Sequence, residues 1–277
     1  MKFAKYHGLG NDFVLVNAPE NALTDFARAA RKVCDRRVGI GADGLILLWP
    51  QDKQNVKMRI FNADGSEAEM CGNASRCVPL FLQEKGFTEG TRLTLHTLAG
   101  AILTEVIDPS KNLVRVDMGE PRLTRQEIPM TGQPTQRAVE VPVEVNGQRF
   151  VGTAVSMGNP HFVIFVPDIA QVALEKVGPQ IETHPLFPRK TNVEFVQVLN
   201  DHTLRMRVWE RGAGITQACG TGSCATLVAA SLTKRTQSQA DIILDGGTLH
   251  VQWLETGHVL MTGPAQKVFE GVYTEDL

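Results

Sequence analysis

Nothing in this chain is long and apolar enough to cross a membrane as a helix. The longest apolar runs, residues 45–49 and 162–167, are strand-length and far short of the ~20 residues a spanning helix needs. The first eight residues, Met1-Lys2-Phe3-Ala4-Lys5-Tyr6-His7-Gly8, lack the apolar core of a secretory leader, so a cytoplasmic location is expected. Strong charge of either sign is also missing. The formal net charge is −2, which argues against nucleic acid or a membrane surface as the main partner and leaves a small-molecule substrate. A disulfide framework is not indicated either, because five cysteines in a chain of cytosolic character form no even set. Metal-ligand spacing is absent as well. Cys71 and Cys77 are separated by five residues and Cys219 and Cys224 by four, with no His-rich partner close by.

A dinucleotide fingerprint is present only in outline. Gly39-Ile40-Gly41-Ala42-Asp43-Gly44 fits G-x-G-x-x-G, but a strand-like run, residues 45–49, follows where a helix is needed. No P-loop occurs, and neither a metal nor an organic cofactor is expected.

What the chain does contain is a repeat. Subtracting 71 from 219 gives 148, and that offset aligns more than the two cysteines. Val56-Lys57-Met58-Arg59-Ile60-Phe61 falls on Leu204-Arg205-Met206-Arg207-Val208-Trp209, both alternating apolar with basic residues as half-buried strands do. Gly10-Asn11 falls on Gly158-Asn159, Gly44 on Asn192, and Met70-Cys71-Gly72-Asn73 on Ala218-Cys219-Gly220-Thr221. The pattern implies a duplication and an α+β (α/β) chain of two pseudo-symmetric lobes, residues 1–119 plus 266–277 and residues 120–265. Strands are expected at 13–16, 45–48, 56–61, 93–97, 102–106 and 113–116, and again at 151–155, 162–165, 193–198, 204–209, 242–244, 248–253 and 259–262. A last strand-like segment at 268–273 is expected to return to the first lobe.

A helix is expected after each Cys-Gly pair, over 74–85 and through 225–232, with Asn73 and Thr221 as N-caps. The second is apolar on nearly every side and should be buried inside a sheet. Pro79 should kink the first or delay its start. Each cysteine would then lie beside free backbone N–H groups and the positive end of a helix dipole, a ready site for an anion. Two such devices facing one substrate suit inversion at a stereocentre: one thiolate removes the α-proton and the opposite thiol returns one. Cys34, Cys77 and Cys224 read as buried packing.

At Met70-Cys71-Gly72-Asn73 and Ala218-Cys219-Gly220-Thr221-Gly222 the chain resembles the diaminopimelate epimerase family. The resemblance extends over Gly8-Leu9-Gly10-Asn11-Asp12-Phe13, Gly39-Ile40-Gly41-Ala42-Asp43, Phe61-Asn62-Ala63-Asp64-Gly65-Ser66, Gly158-Asn159-Pro160-His161, Thr191-Asn192-Val193 and Trp209-Glu210-Arg211-Gly212. It implies interconversion of LL- and meso-diaminopimelate on the route to lysine and peptidoglycan, without pyridoxal phosphate or metal. It implies two similar lobes, each a mixed sheet wrapped around a central helix.

Carried over, the resemblance makes Cys71 and Cys219 the acid–base pair. The amides of Gly72, Asn73, Gly220 and Thr221 would hold the reacting carboxylate. Asn11, Asn62, Asn159, Asn192, Glu210 and Arg211 would contact the rest of the substrate. His161 and Glu210 would tune the thiols, and Phe269 would lie at a homodimer contact. Relatives commonly carry Gln at the position of Gly44 and Glu at that of Ile215, and Pro79 is unusual for the first helix. A proline or hydroxyproline racemase of the same fold is disfavoured by Asn73, where those relatives have His, and by the Glu210-Arg211 pair. Retention of both cysteines speaks against a non-catalytic binding protein of this fold.

Overall fold

A computed structural model describes residues 1–277 apart from Ala22 and Asp276. The chain divides into two units, Met1–Asp117 with Thr262–Leu277, and Met118–Met261.

The first unit opens with β1 (Lys2–Gly8), β2 (Asn11–Asn17), α1 (Phe26–Val33), β3 (Gly44–Pro50), β4 (Asn55–Asn62) and the two-residue β5 (Glu67–Ala68). Then come α2 (Gly72–Glu84), β6 (Arg92–Thr97), β7 (Gly100–Asp108) and β8 (Leu113–Asp117). The second unit holds β9 (Val141–Val145), β10 (Gln148–Ser156), β11 (Pro160–Phe165), α3 (Leu174–Glu182), β12 (Asn192–Asn200), β13 (Thr203–Glu210) and β14 (Gly214–Ile215). It continues with α4 (Gly220–Leu232), β15 (Gln239–Leu244), β16 (Gly247–Trp253) and β17 (Val259–Pro264), whose end passes into the first unit. The last strand, β18 (Gln266–Val272), pairs antiparallel with β1.

The two units pair their strands in the same way. In the first, β1–β2 and β3–β4 are antiparallel while β2–β3 and β4–β6 are parallel. In the second, β10–β11 and β12–β13 are antiparallel while β11–β12 and β13–β15 are parallel. The outer place held by β9 on β10 is held on β1 by the C-terminal β18. Adding 148 to the bounds of β4 and of α2 returns those of β13 and of α4.

The local reasons are plain in the paired strands. Val56, Met58 and Ile60 point inward from β4, as Leu204, Met206 and Val208 do from β13. The intervening bases stay outside, where Arg59 pairs with Glu67 and Arg205 with Asp245. Each unit wraps its sheet around one helix. Against β1, β2, β7 and β8 lies α2, and against β10, β11, β12, β13, β15 and β16 lies α4. From Cys224 to Ala230 every residue of α4 is buried, so its stability comes from packing all round rather than from one amphipathic face.

Both of the helices that follow a Cys-Gly pair start earlier than the sequence predicts, and neither Asn73 nor Thr221 is an N-cap. The caps are the cysteines themselves, in extended conformation: Cys71 with φ −145° and ψ 117°, Cys219 with φ −126° and ψ 109°. The Cys219 sulfur accepts from the Gly222 N–H at 3.3 Å, satisfying an orphan donor that a hydroxyl or carboxylate ordinarily takes. Pro79 does not delay α2, which runs through it from Gly72. The prolines inside α2 and α3 each remove one helical N–H, and in α2 the buried flanks hold the helix together.

Candidate active site

In the first unit, Cys71 is half-buried at the start of α2. Its Ser75 closes the first turn, with N–H and hydroxyl both donating to the Cys71 carbonyl at 2.9 and 3.0 Å. Asn11, at the start of β2, turns its amide oxygen toward Cys71 Sγ at 3.9 Å and accepts from Asn73 Nδ2 at 3.0 Å. Its own Nδ2 donates to Asp43 at 2.8 Å. Asp43 belongs to an ionic cluster: Arg36 donates to both Asp12 oxygens and to Asp43, and Lys5 pairs with Asp12 at 2.9 Å. Burial would raise the Asp12 carboxyl, but the Arg36 and Lys5 hydrogen bonds outweigh it and bring the group down to about 2. Asp12 therefore stays ionised at working pH, and Asp43, accepting from Asn11 Nδ2, fixes which end of that amide faces the cysteine.

On the inner side of α2, Arg76 is fully buried. Its guanidinium folds back to the first turn, donating to Asn73 Oδ1 at 3.0 Å and to the Gly72 carbonyl at 3.5 Å, while Nε reaches the Pro264 carbonyl at 3.3 Å. Asn62, at the exposed end of β4, instead donates to Ser66 Oγ at 2.9 Å. At Gly44 a Cβ would meet the Phe61 carbonyl at 2.9 Å, so a larger side chain has no place here without a backbone shift.

The second unit repeats the helix start with different company. Ser223 closes the turn on the Cys219 carbonyl as Ser75 does on Cys71, but Cys219 is only 4% exposed. Thr221 Oγ lies 3.6 Å from Cys219 Sγ and 3.3 Å from Asn159 Nδ2. The Asn159 carbonyl oxygen lies 3.0 Å from His161 Nε2, and His161 Nδ1 lies 2.6 Å from Glu194 Oε1. Glu210, at the end of β13, places its charge against Cys219 and accepts from the Thr216 hydroxyl.

Burial, then the charges of Glu210 and Glu194, push the Cys219 thiol well up. Burial also raises Glu210, against the opposing hydrogen bond from Thr216 and the charge of His161. A sulfur in this setting rests as the thiol.

Asn192 and Arg211 are brought together beside this cluster. Asn192 Oδ1 accepts from the Arg211 N–H at 2.9 Å, and Nδ2 donates to the Pro160 carbonyl at 2.7 Å. Arg211 exposes its side chain, with Nη1 donating to the Arg189 carbonyl at 3.1 Å. From the end of α3, Glu182 accepts from the Trp209 indole at 2.7 Å and from the Gly212 N–H at 3.2 Å, bracing the Glu210-Arg211 turn from both sides. Cys34, Cys77 and Cys224 are fully or almost fully buried, and burial pushes the Cys34 and Cys77 thiols up to about 12. Among the described residues no group of three or more His, Cys, Asp or Glu is placed to hold a metal ion.

The repeated helix start capped by cysteine, with an Asn from the preceding hairpin beside it in each unit, agrees with comparison to known proteins. The diaminopimelate epimerase family model matches residues 3–124 and 153–268. The chain belongs to the diaminopimelate epimerase family. A family member named diaminopimelate epimerase from Moorella thermoacetica is 54% identical over 282 residues, covering 100% of both chains. Another of that name, from Pelotomaculum thermopropionicum, is 53% identical over 277 residues, covering 99% of each. The fold extends well outside diaminopimelate epimerases. A hydroxyproline epimerase from Agrobacterium vitis superposes with a TM-score of 0.70 at 16% identity, over 98% of this chain and 90% of that one. A phenazine biosynthesis protein from Bacillus anthracis gives 0.70 at 15%, over 99% of both.

Four residues that shape this candidate site were not singled out from the sequence: Asp43, Arg76, Glu182 and Glu194. For Glu194 a signal existed. It is the one acidic residue in the otherwise apolar run Val193-Glu194-Phe195-Val196, and a strand buried on both faces has no solvent side to put it on.

Proposed function

We propose that this chain interconverts LL- and meso-diaminopimelate without a cofactor, using Cys71 and Cys219 as the two proton-transfer groups, in lysine and peptidoglycan precursor synthesis. What carries the reading is the cysteine that caps a buried helix at matching positions of both units. Inversion needs one such group for each face of the α-carbon, so both first turns must act on one substrate.

In the forward step one sulfur, as thiolate, takes the α-hydrogen as a proton. The C–H bond breaks, an S–H bond forms, and the electron pair passes into the carboxylate as an enediolate. The second sulfur gives its proton to the opposite face of the carbon, and its S–H electron pair leaves it a thiolate. Cys219, buried between two carboxylates, fits the protonated partner of the resting pair. The amino-acid α-carbon is a far weaker acid than a thiol of pKa about 8.5, and a helix dipole contributes only ~0.3–1 kcal/mol at an exposed site. Most of the barrier must therefore be met by N–H groups of Gly72, Asn73, Gly220 and Thr221 bonded to the enediolate in a site shut to water.

Asn11 and Asn159 are suited to the polar groups around the reacting carbon, Asn62 and Asn192 to the more distant ones, and Glu210 to the ammonium. Arg211, with its fork free of a carboxylate partner in its own unit, suits the distal carboxylate. His161 and Glu210 tune Cys219. The working form is a cytoplasmic homodimer built through β18, where Phe269 packs edge-on against Phe3 at 5.7 Å and remains 43% exposed.

Cys71→Ala and Cys219→Ala, assayed separately for conversion of LL-diaminopimelate, should each lose at least about a hundredfold in turnover. Turnover near that of the unaltered enzyme in either variant removes that cysteine from the chemistry.

A further inference from the structure

Glu194 is the one fully buried carboxylate of the second unit that the proposed reaction leaves without a task. It is 0% exposed, and its Oε2 has no hydrogen-bond partner. Its Oε1 is 2.6 Å from His161 Nδ1 and sits against the first turn of α4, where a Cβ on Gly222 would come within 2.8 Å of it. Only glycine at 222 lets the carboxylate stand this close to the positive end of the helix. A buried carboxylate with one unsatisfied oxygen is costly, so its placement against an imidazole calls for a function.

The contacts continue in one line. His161 Nε2 meets the Asn159 amide at 3.0 Å, the other end of that amide meets Thr221 Oγ at 3.3 Å, and Thr221 Oγ meets Cys219 Sγ at 3.6 Å. We propose that Glu194 is a positioning residue anchoring this chain, and that the chain ties the protonation of His161 to the ionisation of Cys219.

Each member has one consistent role once the ends are set. The Glu194 carboxylate requires a proton on Nδ1 in both states. When Nε2 is also protonated, it donates to Asn159 Oδ1, Asn159 Nδ2 donates to Thr221 Oγ, and the Thr221 hydroxyl is left to donate to a Cys219 thiolate. When Nε2 is bare, the Asn159 amide turns over and donates to it. The Asn159 oxygen then accepts from the Thr221 hydroxyl, which in turn accepts from the Cys219 S–H. Going from the second state to the first breaks S–H and forms Nε2–H, the proton being exchanged through water, so the total is unchanged.

An amide and a hydroxyl can each reverse donor and acceptor ends without changing charge. The charged groups facing the sulfur are Glu194 on β12 and Glu210 on β13, and both also face the His161 ring on β11. A positive ring therefore offsets the two carboxylates when Cys219 is a thiolate.

The inference rests on the reading of Cys219 as a working thiol, but its test uses no turnover. Iodoacetamide labelling of Cys219 is followed by peptide mass from pH 6 to 10 in the full-length protein, unaltered and as Thr221→Val and Thr221→Ser. The His161 ring nitrogens are followed by NMR over the same range. In the unaltered protein blocking Cys219 should displace the ring titration, because it removes the sulfur charge that favours a protonated Nε2. Thr221→Val should abolish that displacement and change the labelling rate near neutral pH about tenfold, one pKa unit, and Thr221→Ser should restore both. Glu194→Gln, if folded, should change the ring tautomer and move Cys219 labelling in the same experiment. Labelling of Cys219 within twofold of the unaltered protein in Thr221→Val, or a ring titration indifferent to blocking Cys219, overturns the linkage while leaving the two-cysteine reaction standing.

Discussion

The two units share a backbone device and differ in what surrounds it. At positions 148 apart, Phe13 of the first unit corresponds to His161 of the second, Ile46 to Glu194, Asn62 to Glu210 and Arg76 to Cys224. Phe13 and Ile46 lie in the apolar cluster of the first unit, where the second unit carries an imidazole–carboxylate pair. The buried charge on α2 itself is an arginine, Arg76, whereas the buried carboxylate set against α4 is Glu194. Cys71 is half-buried and Cys219 buried. Duplication preserved the strand–turn–cysteine–helix geometry that presents an N–H cradle, while the side chains that set proton affinity diverged. A catalyst that runs in both directions needs two proton carriers, and nothing requires that their environments match. They need only exchange roles when the substrate changes hand.

The sharpest way to break this comparison is to give the second unit the first unit's residue. Glu210→Asn copies Asn62 and removes the carboxylate charge that acts on Cys219. It should lower kcat/KM for LL-diaminopimelate at least about a hundredfold, the usual range for a lost acid–base partner. A loss under threefold would mean that the acidic setting of Cys219 is incidental. A smaller effect is expected from Arg76→Met, which keeps length and packing but deletes the buried charge and its hydrogen bonds to Asn73 Oδ1 and the Pro264 carbonyl. Losing buried bonds of this kind costs about 1–3 kcal/mol, to be read as a lower denaturant midpoint at constant slope. Unchanged stability would show that the first unit tolerates a neutral helix start as the second does.

The shared part of the comparison was legible in the sequence and the divergent part was not. The offset of 148 recovered β4 with β13 and α2 with α4, because alternation of apolar and basic residues survives duplication. The expected strands fall within observed ones, and the tail at 268–273 matches β18 to within one or two residues. The strands left out had weak signals. In β1 three polar or basic residues, Lys2, Lys5 and His7, interrupt a short apolar pattern, and β9 contains Pro142. Helices α1 and α3 are short, and α3 carries Pro179. The caps were misread because Asn and Thr outrank Cys as general N-cap residues. Here the Cys219 sulfur takes the bond, while Asn73 is used by Asn11 and Arg76.

The roles of Asp43, Glu182 and Glu194 rest on partners far along the chain, Asn11 32 residues from Asp43, Trp209 27 from Glu182 and His161 33 from Glu194. Spacing along the chain carries no trace of such pairs. Asn192 illustrates the same limit: the motif marks it as a substrate contact, and the fold shows it first holding the Arg211 main chain.

The central claim is that two sulfurs, one per face, move the proton. The measurement that tests it most directly is the position of deuterium at the α-carbon when LL-diaminopimelate is turned over in D₂O without added cofactor and stopped within the first few per cent of conversion. A proton removed by one thiolate stays on that sulfur, and the product takes its hydrogen from the other, already exchanged with solvent. The account predicts deuterium in the meso product and almost none in the remaining LL substrate. Equal deuterium in both, as expected when a single base serves both faces, would contradict it.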